Sequence, residues 1–154
     1  MLIQPLPRVE PASATDLPAL VALLGELFSI EKDFTPDPRK QELGLRALLN
    51  MRDTAAVFVA RGPMGEVVGM VSAQLVISTS EGAPSAWVED LVVRADYRRS
   101  GIGKELARQV LEWARGRGAT RAQLVYDLDN DSAIGFYDRA GWACTHLGVR
   151  RQVL

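Results

Sequence analysis

The sequence feature that most constrains the fold is a predicted strand that leads into a predicted helix through a short charged turn. Residues 87–93, WVEDLVV, are rich in β-branched and apolar side chains, which is typical of a buried strand. After the turn, the apolar residues Ile102, Leu106 and Val110 recur at helical spacing and predict an amphipathic helix over residues 103–117. The chain therefore places a helix N-terminus close to the end of a strand.

This turn has the chemistry of an anion-binding site. The first N–H groups of a helix have no partner within it, and the helix dipole adds partial positive charge there. Gly101 and Gly103 lack a Cβ, so a ligand can approach their backbone closely. Fixed positive charge comes from Arg98, Arg99 and Lys104. The pattern predicts a site for a phosphate or pyrophosphate; an ordinary charged surface turn is the alternative.

Two common phosphate-binding motifs do not match the turn. A P-loop requires Ser or Thr after its lysine, and the residue in that place is Glu105. A dinucleotide-binding fingerprint requires a third Gly or Ala, and Leu106 occupies that position. What remains, Arg98-x-x-Gly101-x-Gly103 after a strand that ends in Leu-Val-Val, resembles motif A of the GNAT family of N-acetyltransferases.

A second segment supports this resemblance. The family pattern N-x-x-A-x-x-[FL]-Y-x-x-x-G-[FW] is matched by Asn130, Ala133, Phe136, Tyr137, Gly141 and Trp142. The resemblance covers nearly the whole chain, and it implies a single acetyltransferase domain over residues 1–154. It also implies a mixed α/β fold, in which a mostly antiparallel central sheet with splayed central strands is flanked by about four helices.

The periodicity predicts the elements one by one. Strands are predicted at residues 3–9, 55–60, 67–77, 87–93, 121–126 and 142–150. Helices are predicted from a cap at Thr15 or Asp16 to Phe28, and at residues 41–50, 103–117 and 132–140. The predicted connections include polar loops at residues 29–38, 78–85 and 127–131 and a hairpin turn at residues 61–65. This order places antiparallel strands first and a β-α-β unit later, which indicates a mixed α/β domain.

The resemblance implies that acetyl-CoA binds where the strands at residues 87–93 and 121–127 separate. Backbone groups of Leu91, Val92 and Val93 would contact the pantetheine and the acetyl carbonyl, and an N–H near Leu91 would stabilise negative charge on that oxygen. The other cofactor-binding residues that it implies are Arg98, Arg99, Ser100, Gly101, Ile102, Gly103 and Lys104 around the pyrophosphate, and Asn130, Ser132 and Tyr137 in the second segment. Asn130 is equally well explained as a helix-start residue.

Acetylation of an amine requires the acceptor to lose a proton, because an alkylammonium with a pKa of about 10 is almost fully protonated at neutral pH. A carboxylate beside the acetyl group can accept this proton, directly or through a water. A regular strand would present only one of Glu89 and Asp90, and a bulge would change which one. We expect Glu89 to be the base and Asp90 to be a substrate contact or a structural acid.

The resemblance assigns two further roles. In the family, the tyrosine at the position of Tyr137 often donates a proton to the departing CoA thiolate; a core tyrosine with a hydrogen-bonded hydroxyl is the alternative. The first-helix region covers the acceptor pocket, which suggests an acidic, aromatic-lined site that would favour a cationic amine. The predicted substrate-binding residues are Phe28, Glu31, Phe34, Trp87, Glu89 and Asp90. Alternatively, the aromatic side chains are core and the acidic ones solvated.

Composition argues against several other classes. The chain has 18 Lys and Arg against 19 Asp and Glu, a net charge of −1, so nucleic-acid binding is not expected. No apolar run is long enough to span a membrane, and residues 1–10 do not resemble a signal peptide. A single cysteine, Cys144, and a single histidine, His146, argue against an internal disulfide and a metal site. We expect a cytoplasmic protein.

The predicted function is transfer of the acetyl group of acetyl-CoA to a primary amine of a small molecule, by direct attack in a ternary complex. No cysteine lies in the strand at residues 87–93 to carry the acetyl group, which disfavours a covalent route. Two alternatives stay open: a non-catalytic acyl-CoA-binding sensor, and a protein or peptide N-acetyltransferase. The resemblance also favours a homodimer.

Overall fold

Five strands form one sheet in the computed structural model, which describes residues 7–154. Their spatial order follows the chain: β1 Arg8–Pro11, β2 Ala55–Arg61, β3 Val67–Ser78, β4 Ala83–Val93 and β5 Arg121–Gln123. Strands β1 to β4 are antiparallel to their neighbours, whereas β5 is parallel to β4. A parallel pair needs a crossover connection, and a helix supplies it here.

Helices cover both faces of the sheet. They are α1 Leu17–Ile30, α2 Pro38–Asn50, α3 Ile102–Gly116, which is the crossover, and α4 Asp131–Arg139. Alternation within β2 separates two apolar layers: Val57 and Val59 pack in the core with α1 and α2, while Phe58 and Ala60 pack in the core with α3. Of the helices within residues 7–154, none has the length and apolar character needed to cross a membrane.

Local sequence explains where the helices begin. Asp37 caps α2, because its Oδ1 accepts hydrogen bonds from the N–H groups of Arg39 at 3.1 Å and Lys40 at 3.2 Å. Pro38 lies in the first turn, where its missing N–H costs nothing, so α2 begins before the predicted start at residue 41. In α1, Pro18 occupies the same kind of position, as the sequence predicted.

The predicted fold class is confirmed: the sheet is mixed and mostly antiparallel, and four α-helices flank it. The predicted loop at residues 78–85 is wrong at its C-terminal end, because β4 begins at Ala83 and pairs there with Ser78. Gly82, with φ of 62°, makes the tight turn that permits this pairing. Of the first predicted strand, residues 8 and 9 belong to β1, and residues 3–6 lie outside the described residues.

The predicted last strand at residues 142–150 is wrong, because this segment forms no strand within the described chain. Only Trp142 is half-buried; Leu147 and Val149 are 77% and 71% exposed, so the alternation finds no apolar surface to cover. The strand predicted at residues 121–126 is also shorter than expected, since β5 makes only three residue pairs with β4. So short an edge offers little for a following strand to pair with.

Candidate active site

Strands β4 and β5 separate, as the resemblance implied. Strands β4 and β5 pair only from Ser85 with Arg121 to Trp87 with Gln123. Beyond these pairs lies a small cleft that is open to solvent. The residues that line it are Leu27, Glu31, Val88, Glu89, Asp90, Leu91, Leu124, Val125, Tyr126, Asp127, Asn130, Ala133 and Tyr137.

A β-bulge in β4 brings both members of the acidic pair to the cleft. The register shifts between Met70 and Ser72 of β3, so Asp90 and Leu91 together lie opposite one residue of that strand. Asp90 has a left-handed backbone with φ of 55°, which is uncommon for a residue other than glycine. Regular alternation would present one acidic side chain, whereas with the bulge Glu89 and Asp90 both line the cleft.

Ser72, on the neighbouring strand, spans this bulge. The residue is only 2% exposed. Its Oγ lies 3.2 Å from the carbonyl oxygen of Glu89 and 3.3 Å from Oδ2 of Asp90, and the hydroxyl donates to this pair of acceptors. Sequence reasoning missed Ser72, because nothing local in the sequence shows which residue of one strand faces a bulge in the next.

Burial and neighbouring negative charge raise the pKa of two carboxyl groups in the cleft, Asp90 and Glu31. Burial raises the pKa of Asp90 to about 6, and the negative charges of Glu89 and Glu31 add to this effect. The hydrogen bond from Ser72 acts in the opposite direction. Burial also raises the pKa of Glu31, to which the charges of Asp127 and Glu89 contribute. Because the described lining contains no Lys or Arg, the cleft attracts positive charge.

The aromatic residues predicted for the pocket lie beside the cleft rather than on its wall. Nε1 of Trp87 donates a hydrogen bond to Oε1 of Glu89 at 3.0 Å. The rings of Phe28 and Phe34 pack with their centroids 5.3 Å apart. Phe28, which lies on α1, packs against the core between the sheet and the helices α1 and α2, and Phe34 is 46% exposed. Among the described residues that line the cleft, the predicted acidic ones are all present, and an aromatic acceptor pocket stays a prediction.

Tyr137 enters the cleft from α4, whose start is fixed by Asn130. Oδ1 of Asn130 accepts a hydrogen bond from the N–H of Ala133 at 3.0 Å, so Asn130 is a helix cap that also lines the cleft. The ring of Tyr137 packs against Tyr126, with centroids 6.1 Å apart. Burial and the charge of Glu31 raise the pKa of Tyr137 to about 12. The phenol is therefore protonated at neutral pH, as a proton donor must be.

The wall that follows β5 lies in the segment at residues 121–127 that the resemblance placed beside the cleft, but none of its residues was predicted as a site residue. Leu124 and Tyr126 line the cleft, together with Asp127, which the sequence placed in a loop. Their alternation in the predicted strand at residues 121–126 was the available signal, since it puts both side chains on one side. Ser132, in contrast, is exposed in the first turn of α4 and is not among the lining residues.

The charged turn after β4 is an open helix N-terminus. Gly101 precedes α3 with φ of 85°, a conformation that favours glycine, and it provides no side-chain cap. A Cβ at Gly101 would meet no atom within 4 Å, whereas a Cβ at Gly103 would lie 3.4 Å from the ring of Phe136. Arg99 and Lys104 are exposed beside this open space. The first N–H groups of α3 are thus accessible to an anion.

The other residues predicted around a pyrophosphate make contacts within the turn or the core. Nε of Arg98 donates to the carbonyl oxygen of Val93 at 2.9 Å, and Oγ of Ser100 donates to a backbone carbonyl of the turn. The side chains of Val92 and Ile102 are buried in the core. These two residues can therefore offer only their backbone groups to a ligand.

Comparison with known proteins identifies relatives along most of the chain. The model of the acetyltransferase (GNAT) family matches residues 22–142. An aminoglycoside N(6')-acetyltransferase type 1 from Acinetobacter genomosp. 13 is 25% identical over 143 residues, which are 86% of this chain and 98% of that protein. A glucosamine 6-phosphate N-acetyltransferase from Trypanosoma brucei brucei is 29% identical over 142 residues, which are 88% of each protein.

Solved structures share the fold. The crystal structure of an aminoglycoside acetyltransferase from an uncultured soil metagenomic sample, in complex with sisomicin, matches with a TM-score of 0.76 and 24% identity. The match covers 96% of both chains. The splayed strands, the open N-terminus of α3 and the family match agree with one another. The chain therefore belongs to the GNAT family of acetyltransferases.

Proposed function

We propose that this acetyltransferase transfers the acetyl group of acetyl-CoA to a primary amine of a small molecule, by direct attack in a ternary complex. The observation that carries the proposal is the cleft between β4 and β5, where carboxyl groups and a protonated phenol meet. The open N-terminus of α3 follows the same strand. Strand β4 thus supports both a reaction site and an anion site.

Acetyl-CoA would lie along the end of β4 and the turn that follows it. It supplies a thioester, which is an activated acyl group. The accessible N–H groups of α3 and the exposed charges of Arg99 and Lys104 suit its pyrophosphate. The bulge leaves Leu91 outside the regular register of the sheet, which supports a role for its N–H in stabilising negative charge on the acetyl oxygen.

The proton that the amine must lose goes to a carboxylate of β4. The sequence favours Glu89 for this role, and Glu89 and Asp90 both line the cleft. Tyr137 would donate a proton to the leaving sulfur, a role that its protonated state at neutral pH supports. Within the described chain the cleft lining contains no cysteine, which supports direct transfer over an acetyl-cysteine route.

The acceptor that best fits the cleft is a small cationic amine. The carboxyl groups on its wall are Glu31, Glu89, Asp90 and Asp127. Aminoglycosides, named for one relative, carry several ammonium groups, whereas glucosamine 6-phosphate, named for another, carries a phosphate that these carboxylates would repel. Charge therefore favours an amine without phosphate. A cytoplasmic location, which the single cysteine favours, and a homodimer, which the resemblance favours, remain expectations.

A thermal-unfolding scan with acetyl-CoA, free CoA and ATP tests the proposal first. A ligand at about 100 times its dissociation constant adds about 2.7 kcal/mol to stability, which shifts the midpoint visibly. Both CoA species should raise the midpoint and ATP should not. Release of free thiol should then depend on an added amine. Absence of any shift with acetyl-CoA would overturn the proposal.

The same assay separates the two rival functions. A non-catalytic sensor would show the shift with acetyl-CoA but no release of thiol with any amine. A protein or peptide acetyltransferase would turn over peptides and leave free small amines unmodified. The acceptor panel therefore contains an aminoglycoside, an aliphatic diamine, glucosamine 6-phosphate and a lysine-containing peptide.

A further inference from the structure

We propose that Asp90 is the carboxylate that accepts the proton from the amine, and that Ser72 is the positioning residue that holds it in the cleft. The inference rests on the proposed function and makes it more specific. It departs from the sequence, which favours Glu89, and it gives a role to a residue on β3 that no motif contains.

The geometry of the bulge favours Asp90 over Glu89. With φ of 55°, Asp90 holds a backbone conformation that residues with a side chain seldom adopt, and such conformations concentrate at functional sites. The bulge turns Asp90 into the cleft without removing Glu89 from its wall. Glu89, however, is exposed, and its carboxylate accepts a hydrogen bond from the indole of Trp87. Asp90 is the less exposed of the two.

The contact with Ser72 holds the Asp90 carboxylate in place. The single buried hydroxyl of Ser72 donates to the backbone carbonyl of Glu89, which precedes Asp90, and to the side-chain carboxylate of Asp90 itself. This contact fixes the bulge and the orientation of the carboxylate together. A serine that only satisfied its own hydroxyl would not need to contact the side chain that enters the cleft.

The electrostatic surroundings of Asp90 suit a base. The titratable and polar groups that face Asp90 from the surrounding elements are Glu89 on β4, Glu31 after α1, Asp127 after β5, Tyr137 on α4 and Ser72 on β3. Burial first, and then the charges of Glu89 and Glu31, raise its pKa to about 6, while the Ser72 hydroxyl restrains the rise. Asp90 is thus mostly ionised at neutral pH and is a stronger base than an ordinary carboxylate.

The proton balance of the step is then complete. The ammonium gives one proton to the carboxylate of Asp90, and the neutral nitrogen then forms a bond to the acetyl carbon. The second proton that this nitrogen loses goes to solvent. The carbon–sulfur bond breaks, the sulfur leaves with the electron pair, and Tyr137 gives it a proton. Asp90 and Tyr137 return to their starting states by exchange with solvent. The sum is ammonium plus thioester giving amide, thiol and one proton released to solvent.

Titration of the protein without substrates tests the positioning role independently of activity. Asp side chains labelled with ¹³C at Cγ are followed by NMR between about pH 4 and about pH 8, and Asp90→Asn identifies the Asp90 signal. Ser72→Ala should move the midpoint of this signal to higher pH, because it removes the hydrogen bond that lowers the pKa of Asp90. Ser72→Thr, which keeps a hydroxyl, should restore it. An unchanged midpoint in Ser72→Ala would overturn the positioning role.

Kinetics with an amine acceptor test the assignment of the base. Asp90→Asn should lower kcat about 100-fold with a smaller change in KM and should abolish the acid limb of the pH profile. Glu89→Gln should affect KM more than kcat and keep that limb. Ser72→Ala should move the limb upward by the same amount as the NMR midpoint. Ser85→Ala is the matched control, since Ser85 is equally buried on β4 but does not line the cleft.

Failure of this inference can be told apart from failure of the proposed function. An active wild type whose kcat falls with Glu89→Gln and not with Asp90→Asn overturns the inference alone. A wild type that shows neither a thermal shift with acetyl-CoA nor turnover overturns both. Each variant is scanned with acetyl-CoA, and a retained shift shows that a loss of kcat does not come from misfolding.

Discussion

Tyr137 is the residue whose chemistry separates an enzyme from a sensor. Its phenol is half-buried in the cleft and protonated at neutral pH, so Tyr137→Phe removes the proposed proton donor without removing the ring. We expect Tyr137→Phe to lower kcat about 100-fold, at the low end for a general acid because a thiolate is a good leaving group. The thermal shift with acetyl-CoA should be retained.

Tyr126→Phe provides the matched control for this change. Tyr126 also lines the cleft, but its hydroxyl lies 3.8 Å from Sγ of Cys144, and no role in proton transfer is assigned to it. A similar loss in both variants would point to packing of the two rings rather than to proton donation. An unchanged kcat in Tyr137→Phe would exclude Tyr137 as the acid.

Asp90 should also change how stability depends on pH, whatever the acceptor is. Burial raises its pKa from 3.8 to about 6, so the folded state binds this proton more tightly than the unfolded chain does. Its favourable contribution is present below about pH 3.8 and is lost as the pH rises through about 6. Relative to the wild type, Asp90→Asn should therefore gain about 1 to 3 kcal/mol of unfolding free energy between about pH 4 and about pH 8.

Urea unfolding at the two pH values measures this gain, with Asp129→Asn as a control on an exposed aspartate outside the cleft wall. A difference between variant and wild type that is the same at both pH values would show that Asp90 has an ordinary pKa.

The acidic pair also shows the limit of sequence reasoning at the scale of residues. The pattern of β4 placed Glu89 and Asp90 at the correct strand, and it could not decide which of them faces the cleft. That choice depends on a bulge against Ser72, which is 18 residues from Asp90 in the chain. A contact of this range has no local signal, whereas Gly101 and Tyr137 could be recognised from the spacing of their own motifs.

At the scale of elements, the start of α3 makes a direct prediction about the cofactor. Gly101 and Gly118 have nearly the same backbone, with φ of 85° and 84°, and a Cβ would meet no atom at either. Gly101→Ala and Gly118→Ala should thus cost a similar amount of stability, about 1 to 2 kcal/mol each. Only Gly101→Ala should weaken binding of acetyl-CoA, because only that Cβ would stand in front of the first N–H groups of α3.

Isothermal titration with acetyl-CoA, together with urea unfolding, separates the two effects. Equal affinity in both variants would contradict a pyrophosphate site at this turn. A loss of affinity in both would attribute the effect to general destabilisation of α3, since the two glycines lie at its opposite ends.

A helix or strand could be predicted where the periodicity of its own residues indicates it. The amphipathic stripe of α3 and the apolar strands β2 and β3 were found within a few residues, and so was α4, with its cap at Asn130. The elements that failed depend on neighbours: β5 is short because β4 diverges from it, and the predicted strand at residues 142–150 then lacks an edge. Strand propensity alone does not make a strand without a partner.

For the molecule as a whole, periodicity predicted a mixed α/β domain, and only the resemblance predicted how its elements are arranged. The split of β4 and β5 is a property of that arrangement. It brings carboxyl groups from three parts of the chain to one cleft: Glu31 after α1, Glu89 and Asp90 on β4, and Asp127 after β5. These carboxyl groups lie in separate segments of the sequence, so the charge of the cleft becomes visible only in the folded chain.

The charge of the assembled cleft leads to a prediction about acceptor choice. Glu31 lines the cleft from the end of α1, where it is half-buried among other carboxyl groups. Glu31→Gln should raise KM about fivefold for a diamine, which corresponds to about 1 kcal/mol for a partly exposed ion pair, and less for a monoamine. The effect should shrink as salt is added, because mobile ions screen the interaction. Glu26→Gln is the matched control, since Glu26 is half-buried on α1, which Glu31 follows, but is not on the cleft wall. Equal KM values for mono- and diamines in the wild type, unchanged by Glu31→Gln, would mean that the acceptor binds without using the charge of the cleft.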